Sequence, residues 1–168
     1  IKKVLIGFII FITLIGFLVY LGMKKVEYNQ HWKDIEFTAV VDLYNSVGWV
    51  AYTDKPDELK RAFENSSYIN LAFVDSKLVG VIRTLSDSIS IHYIQDIIVH
   101  PDYQRHGVGR GLLDSALSFY KDVRTHVLLT DNEEKQKLFY ESLGFKNPKS
   151  LVNDELNSFI KMKGIELS

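Results

Sequence analysis

The sequence predicts an α/β domain: a mixed, twisted sheet flanked by helices. Three observations carry this. The stretch Ile91 to Tyr120 reads as strand, loop, glycine turn and amphipathic helix. A short apolar run, Thr125 to Thr130, follows it, and strand–helix–strand implies a parallel, right-handed crossover. The chain has 168 residues, 46% of them hydrophobic, which is one domain's worth with enough apolar mass for a core.

Taken in order, the chain opens on Val4 to Leu21, which holds no charge and is flanked by Lys2 and Lys3 and by Lys24 and Lys25. As a helix it would span about 27 Å, close to a bilayer's hydrocarbon core. The balanced lysine pairs do not orient it. Residues 1–22 are therefore read as a hydrophobic segment, either a transmembrane anchor or an extension upstream of a product starting at Met23. Residues 23–168 form the domain. A secretory signal fits less well, because Tyr20 and Gly22 make a poor cleavage site.

Lys25 to Gln30 reads as a first strand. Thr38 is the expected cap of a helix carrying Val40, Leu43, Tyr44 and Val47 on one face, with Gly48 ending it. Trp49 to Tyr52 is expected as loop. Thr53 or Asp54 then caps a second helix, with Pro56 in its first turn and Leu59, Ala62 and Phe63 as its apolar stripe. Tyr68 to Val74 and Leu78 to Leu85 are strands joined by the turn Asp75-Ser76-Lys77. Ser86 to Ser88 turns the chain into the strand Ile91 to Val99, which Pro101 closes. Leu112, Leu113, Ala116, Leu117 and Tyr120 give the following helix one apolar face. After Thr130 a helix runs through Leu143, stopped by Gly144 with Phe145 packing back. Phe159 to Met162 is the expected last strand.

Composition narrows the function. A net charge of −1 gives no basic face for nucleic acid. The absence of cysteine excludes disulfides, thiol nucleophiles and cysteine-ligated metal. His92, His100 and His126 have no metal-ligand spacing, so no metal is expected.

Gly107, Gly109 and Gly111 sit where a helix begins. A side chain there would hold a ligand off the backbone, and a helix's first turn favours a phosphate or pyrophosphate. A P-loop would need Gly-Lys-Ser/Thr, and Arg110-Gly111 is not that. A Rossmann fingerprint would place G-x-G-x-x-G directly after the strand, whereas His100 to His106 intervene here.

The segment Gln104-Arg105-His106-Gly107-Val108-Gly109 resembles the Q/R-x-x-G-x-G/A signature of the GNAT superfamily of N-acetyltransferases. Leu138 to Phe145 is similar to the family's second signature, L-Y-x-x-x-G-F, and lies in the right order. The resemblance covers most of residues 25–162. It implies a GNAT-like fold and acetyl transfer from the cosubstrate acetyl-CoA to a primary amine of a small molecule or peptide. It also implies a catalytic domain in the cytoplasm, where acetyl-CoA is, tethered to the membrane if residues 4–21 are an anchor. A homodimer follows from family habit.

The reaction's demands can be sized. Freeing the lone pair of a lysine-like amine with a pKa of ~10.4 at pH 7 costs roughly 4.6 kcal/mol. A departing thiolate with a pKa of ~8.5 needs about 2 kcal/mol of help. Deprotonating the acceptor is the larger task.

By the resemblance, the backbone of Ile97, Ile98 and Val99 holds the thioester and the pantetheine arm. Gln104, Arg105, His106, Gly107, Val108, Gly109 and Arg110 match the pyrophosphate loop. Tyr140 matches the tyrosine that protonates the leaving thiolate, and Asn132 resembles a cofactor-contacting asparagine. At the position of Tyr93 relatives often carry Glu or His, and tyrosine is a poor base at neutral pH. Asp96, or a water chain, is then the candidate base. Strand alternation predicts His92, Asp96 and His100 on one face and Tyr93 and Gln95 on the other. Trp49 and Tyr52 fall in the region that lines the acceptor site in relatives, where an aromatic pair suits an amine. The different-class alternative is a non-catalytic acetyl-CoA-binding regulatory module. A third is a membrane-tethered interaction protein with a vestigial fold.

Overall fold

The computed structural model describes residues 25–151 and 157–162. The segment 4–21 lies outside the described residues. Among the described residues no helix is long and apolar enough to cross a membrane. The chain divides into two compact units, one ending at Leu128 and the other starting at Leu129.

The first unit carries one five-stranded sheet, in chain order across the sheet: β1 (Glu27–Asn29), β2 (Tyr68–Val74), β3 (Lys77–Ser86), β4 (Ile91–Val99) and β5 (Thr125–Leu128). β1 to β4 pair antiparallel with their neighbours, and β5 adds parallel to β4. The mixed sheet and the parallel step match the sequence-based expectation. Asp75 and Ser76 adopt φ of 49° and 64°, the left-handed pair that a tight two-residue hairpin between β2 and β3 requires.

Helices α1 (Phe37–Ser46) and α3 (Pro56–Glu64) cover one face of the sheet. Val40, Leu43, Tyr44, Leu59 and Phe63 pack there with Ile69, Leu71, Val81 and Ile98 in the main core. Helix α4 (Val108–Phe119) covers the opposite face with buried Leu112, Leu113 and Ala116. Gly80 on β3 admits it closely. A Cβ at that position would lie 3.0 Å from Leu112 Cδ1 and 3.2 Å from the Ile98 carbonyl.

Several local expectations are corrected. α1 begins at Phe37 behind Glu36, so Thr38 lies inside it rather than capping it. Trp49 leads directly into a one-turn helix, α2 (Val50–Thr53), not a loop. α3 is preceded by Lys55, with Pro56 at its start. Gly111 is a packing glycine: a Cβ there would overlap the Tyr28 hydroxyl, which β1 lays across α4.

In the second unit, α5 (Glu134–Glu141) is shorter than expected. Gly144 takes φ of 89° and the Phe145 N–H returns to the Tyr140 carbonyl at 3.2 Å, so the predicted glycine stop forms just past the helix. Phe159 to Met162 form no strand. Phe159 is 95% exposed, and among the described residues no strand pairs with this stretch.

Because Gly80 sits between Leu112, Val108 and the Ile98 carbonyl, Gly80→Val should overpack the α4 face. We expect a loss of about 1–3 kcal/mol, read as a lower urea midpoint at unchanged m-value.

Candidate active site

The sequence builds an interruption into the middle of β4. Ser86, Leu85 and Thr84 pair with His92, Tyr93 and Ile94, but the next pair is Arg83 with Asp96. Gln95 therefore has no partner on β3, which makes it a β-bulge. β5 stops at the same level, since its last residue Leu128 pairs with Ile94. Among the described residues, no strand follows β4 on that side from Gln95 to Val99. That edge offers backbone donors and acceptors to an extended ligand.

The bulge also corrects the predicted face assignment. His92 packs against Tyr120 at the end of α4, ring centroids 4.4 Å apart. Asp96 instead points to the α1 face and accepts from Tyr44 Oη at 2.7 Å. One extra residue reverses every side chain beyond it. His100 is occupied elsewhere, its Nδ1 accepting from the Asp102 N–H at 3.3 Å.

Asp96 is 1% exposed. Its Oδ2 accepts from Arg83 Nε at 2.7 Å as well as from Tyr44, while its buried Oδ1 has no partner among the described residues. Arg83 reaches on to the Ser66 hydroxyl at 3.3 Å and the Ala62 carbonyl at 3.5 Å, at the end of α3. Burial works against the guanidinium's charge, and the Asp96 carboxylate and Tyr44 more than offset it, so its pKa is raised. Burial first, then the Asp96 carboxylate, holds the Tyr44 phenol well above the tyrosine range.

Trp49 and Tyr52 stack, centroids 5.6 Å apart at 25°, and both rest edge-on against Tyr44. They are half-buried, packed on the core yet partly open. Burial and then Asp96 raise the Tyr52 phenol, and the Arg83 charge and then a hydrogen bond with Gln95 pull the other way. Burial and Asp96 likewise raise Tyr93. The bulge thus gathers Tyr93, Gln95 and Asp96 beside Tyr52, which strict alternation did not foresee.

Beyond Val99 the chain passes through a 3₁₀ turn (Pro101–Tyr103) into the glycine loop. Gln104 Nε2 donates to the Val99 carbonyl at 3.0 Å, and His106 Nδ1 lies 2.8 Å from the Gln104 carbonyl. Both side chains therefore shape the loop. Arg105 and Gly107 take φ of 62° and 81°. A left-handed arginine costs energy that the surrounding loop must sustain. Gly107 is the N-cap of α4 and brings no side chain to its first turn. The first intrahelical bond runs from the Gly111 N–H to the Gly107 carbonyl at 2.9 Å. The N–H groups of Val108 and Gly109 precede that bond, and the first turn of a helix is where an anion is favoured. The residues present fit a pyrophosphate.

In the second unit, burial pushes the Tyr140 phenol up to about 12. Its ring packs against Phe139 and Phe145 at 5.1 and 6.0 Å. Asn132 is exposed in the turn before α5.

Arg83 and Tyr44 were not foreseen. Arg83 is the one charge in β3 after Lys77, and Asp96 is the one formal charge in β4. Two lone opposite charges in adjacent buried strands are a readable sign of a pair.

With bulge, open edge and loop in place, comparison with known proteins defines the class. The acetyltransferase (GNAT) domain family matches residues 44–165. The chain belongs to that family, as its two signatures implied. It is 32% identical over 129 residues to an uncharacterized N-acetyltransferase, ycf52, of Pyropia yezoensis, covering 72% of this chain and 73% of that protein. A GNAT-family acetyltransferase of Streptococcus pneumoniae TIGR4 superposes with a TM-score of 0.70 at 30% identity, covering 84% of this chain and 99% of that one. The aminoglycoside N-acetyltransferase AAC(6')-Iy, solved in complex with CoA, shares the fold at a TM-score of 0.59 and 15% identity, covering 83% and 96%.

A separate polar pair lies on the α4 face. His92 is fully buried and its Nδ1 lies 2.8 Å from His126 Nδ1 across the parallel β4–β5 ladder. Burial and then His126 push the His92 pKa down to about 4. An unfolded histidine titrates near ~6.5, so the unfolded chain takes the proton first. Stability should fall as pH drops from about 6.5 toward 4 and this contribution should level off below. Urea midpoints across that range should decline more steeply for the wild type than for His92→Leu, and parallel curves would show that the pair carries no such linkage.

Proposed function

We propose that the chain transfers an acetyl group from acetyl-CoA to a primary amine of a small molecule or peptide. One observation supports this above the others. The strand edge freed from Gln95 to Val99 runs directly into the left-handed loop and open first turn of α4. An edge for an extended arm and a cradle for a pyrophosphate are thus consecutive in one backbone. In this reading Ile97, Ile98 and Val99 hold the thioester arm through their main chain. Gln104 and His106 keep the loop in shape, Val108 and Gly109 present their N–H groups to phosphate, and Arg105 and Arg110 belong to the loop by the family resemblance.

In the reaction the acceptor nitrogen bonds to the acetyl carbonyl carbon and gives up a proton. The carbon–sulfur bond breaks, and the thiolate takes up a proton. A phenol raised to about 12 stays protonated at neutral pH, which suits Tyr140 to donate that proton. Asn132 is kept as a cofactor contact on the family resemblance. Asp96 is too buried to touch an acceptor directly, so its base role runs through water at the unpartnered Oδ1. Trp49 and Tyr52 offer the stacked aromatic wall for the amine. The rival reading is a non-catalytic acetyl-CoA-binding module, and the burial of Asp96 in an ion pair is what favours it.

Thiol release from acetyl-CoA against a panel of amines separates the two. Turnover with any amine removes the binding-module reading. Tyr140→Phe should lower kcat about 10²-fold with little change in CoA affinity. Asp96→Asn, measured per folded molecule, should lose rate at pH 7 and regain part of it as pH rises toward the amine's pKa. A loss that is the same at every pH would remove the base role.

The cofactor half is tested separately by calorimetry with CoA. Gly109→Val puts a branched side chain in the first turn of α4, and a folded variant should bind CoA at least tenfold more weakly, about 1.4 kcal/mol. Unchanged affinity would remove the pyrophosphate assignment.

A further inference from the structure

We propose that Arg83 and Tyr44 are positioning residues: through the buried Asp96 carboxylate they select the bulged register of β4, and so set the strand edge that receives the acyl-thioester arm. The inference rests on the acetyl-CoA reading for its functional half and on geometry alone for its structural half.

On one side of the bulge Thr84 pairs with Ile94, and on the other Arg83 pairs with Asp96. If β4 ran straight, Gln95 would oppose Arg83 and Asp96 would oppose Ile82. Asp96 would then point to the α4 face, among Ile82 and the buried Leu112 and Leu113. A carboxylate there would be buried without a cation, which costs far more than one unpaired residue. Ile98 would meanwhile oppose Gly80, where even a Cβ finds Leu112 and Val108 at 3.0 and 3.1 Å. The bulge removes both conflicts, bringing Asp96 Oδ2 to 2.7 Å from both Arg83 Nε and Tyr44 Oη and Ile98 opposite Val81.

The same hub joins four elements. Tyr44 comes from α1, Arg83 from β3, Asp96 from β4, and the Arg83 guanidinium ends on Ala62 and Ser66 at the foot of α3. Neither Arg83 nor Tyr44 touches the proposed thioester. Their effect on it passes through the direction of the Ile97 to Val99 backbone.

The test uses the full chain and two variants. Tyr44→Phe keeps the ring and removes one donor to Asp96. The double variant Arg83→Met with Asp96→Leu removes both charges together, so no orphan charge threatens folding. Amide hydrogen exchange at Gln95 to Val99 and CoA affinity by calorimetry are the readouts, with thermal unfolding as the check on global stability. In the double variant we expect exchange at Gln95 to Val99 to rise relative to Ile91 to Ile94, and CoA affinity to fall by about 10–100-fold in folded protein. Tyr44→Phe should move both readouts the same way by a smaller factor. Unchanged exchange and affinity in folded variants, with only a lower Tm, would overturn the positioning role. Wild-type protein that fails to bind CoA would overturn the functional reading instead, and the exchange pattern would still decide whether the ion pair holds the bulge.

Discussion

The ion pair between Arg83 and Asp96 is buried on both sides, with side chains 6% and 0% exposed. Such a pair contributes little net stability, because two desolvation costs oppose its attraction. Breaking it from one side is another matter, costing about 3–5 kcal/mol through the charge left behind. The pair therefore acts mainly as a constraint on geometry. It forbids the straight β4, and the bulge that results ends the β5 ladder at Leu128 and leaves the rest of β4 with an open edge. The core on the α1 face, the aromatic wall at Trp49 and Tyr52, and the approach to the glycine loop are all arranged around that edge.

What was legible in the sequence was local. Gly107 and Gly109 before an amphipathic helix announce the loop, because left-handed backbone and an open first turn are set within a few residues. Asp75-Ser76 and Gly144 were readable for the same reason. What stayed hidden depended on partners distant in sequence. Alternation alone placed His92 and Asp96 on one face, and only the Arg83 pairing shows that they lie on opposite ones. Phe159 to Met162 has the composition of a strand but pairs with no strand among the described residues, and a strand without a ladder has nowhere to put its backbone hydrogen bonds.

The glycines divide by cause in a way the motif does not reveal. Gly107 is required by its φ of 81°, while Gly111 makes room for Tyr28. Tyr28 also donates to the Val108 carbonyl at 3.5 Å, so the edge strand β1 braces the start of α4. The loop and first turn proposed to receive the pyrophosphate are thus supported from two sides: Gln104 ties the loop to the Val99 carbonyl, and Tyr28 ties the helix to the sheet. Under the proposed function, two such ties would reduce the ordering cost of binding a phosphate.

The titration pattern narrows how protons can move around the bulge. Tyr44, Tyr52 and Tyr93 are all raised, each by burial first and by the Asp96 carboxylate second. All three therefore remain phenols at neutral pH and act there as donors or neutral acceptors, never as phenolate bases. His92 is turned to the other face with His126, so it does not serve this side. On this side of β4, Asp96 is left as the carboxylate, and its Oδ2 is already committed to two donors. Only Oδ1 retains accepting capacity. A proton leaving an acceptor amine would have to reach it through an intervening water, with the tyrosine hydroxyls able to orient that water. The carboxylate that fixes the register of β4 thus also keeps, in Oδ1, a buried acceptor with no partner among the described residues. The scaffold and the proposed chemistry converge on a single side chain.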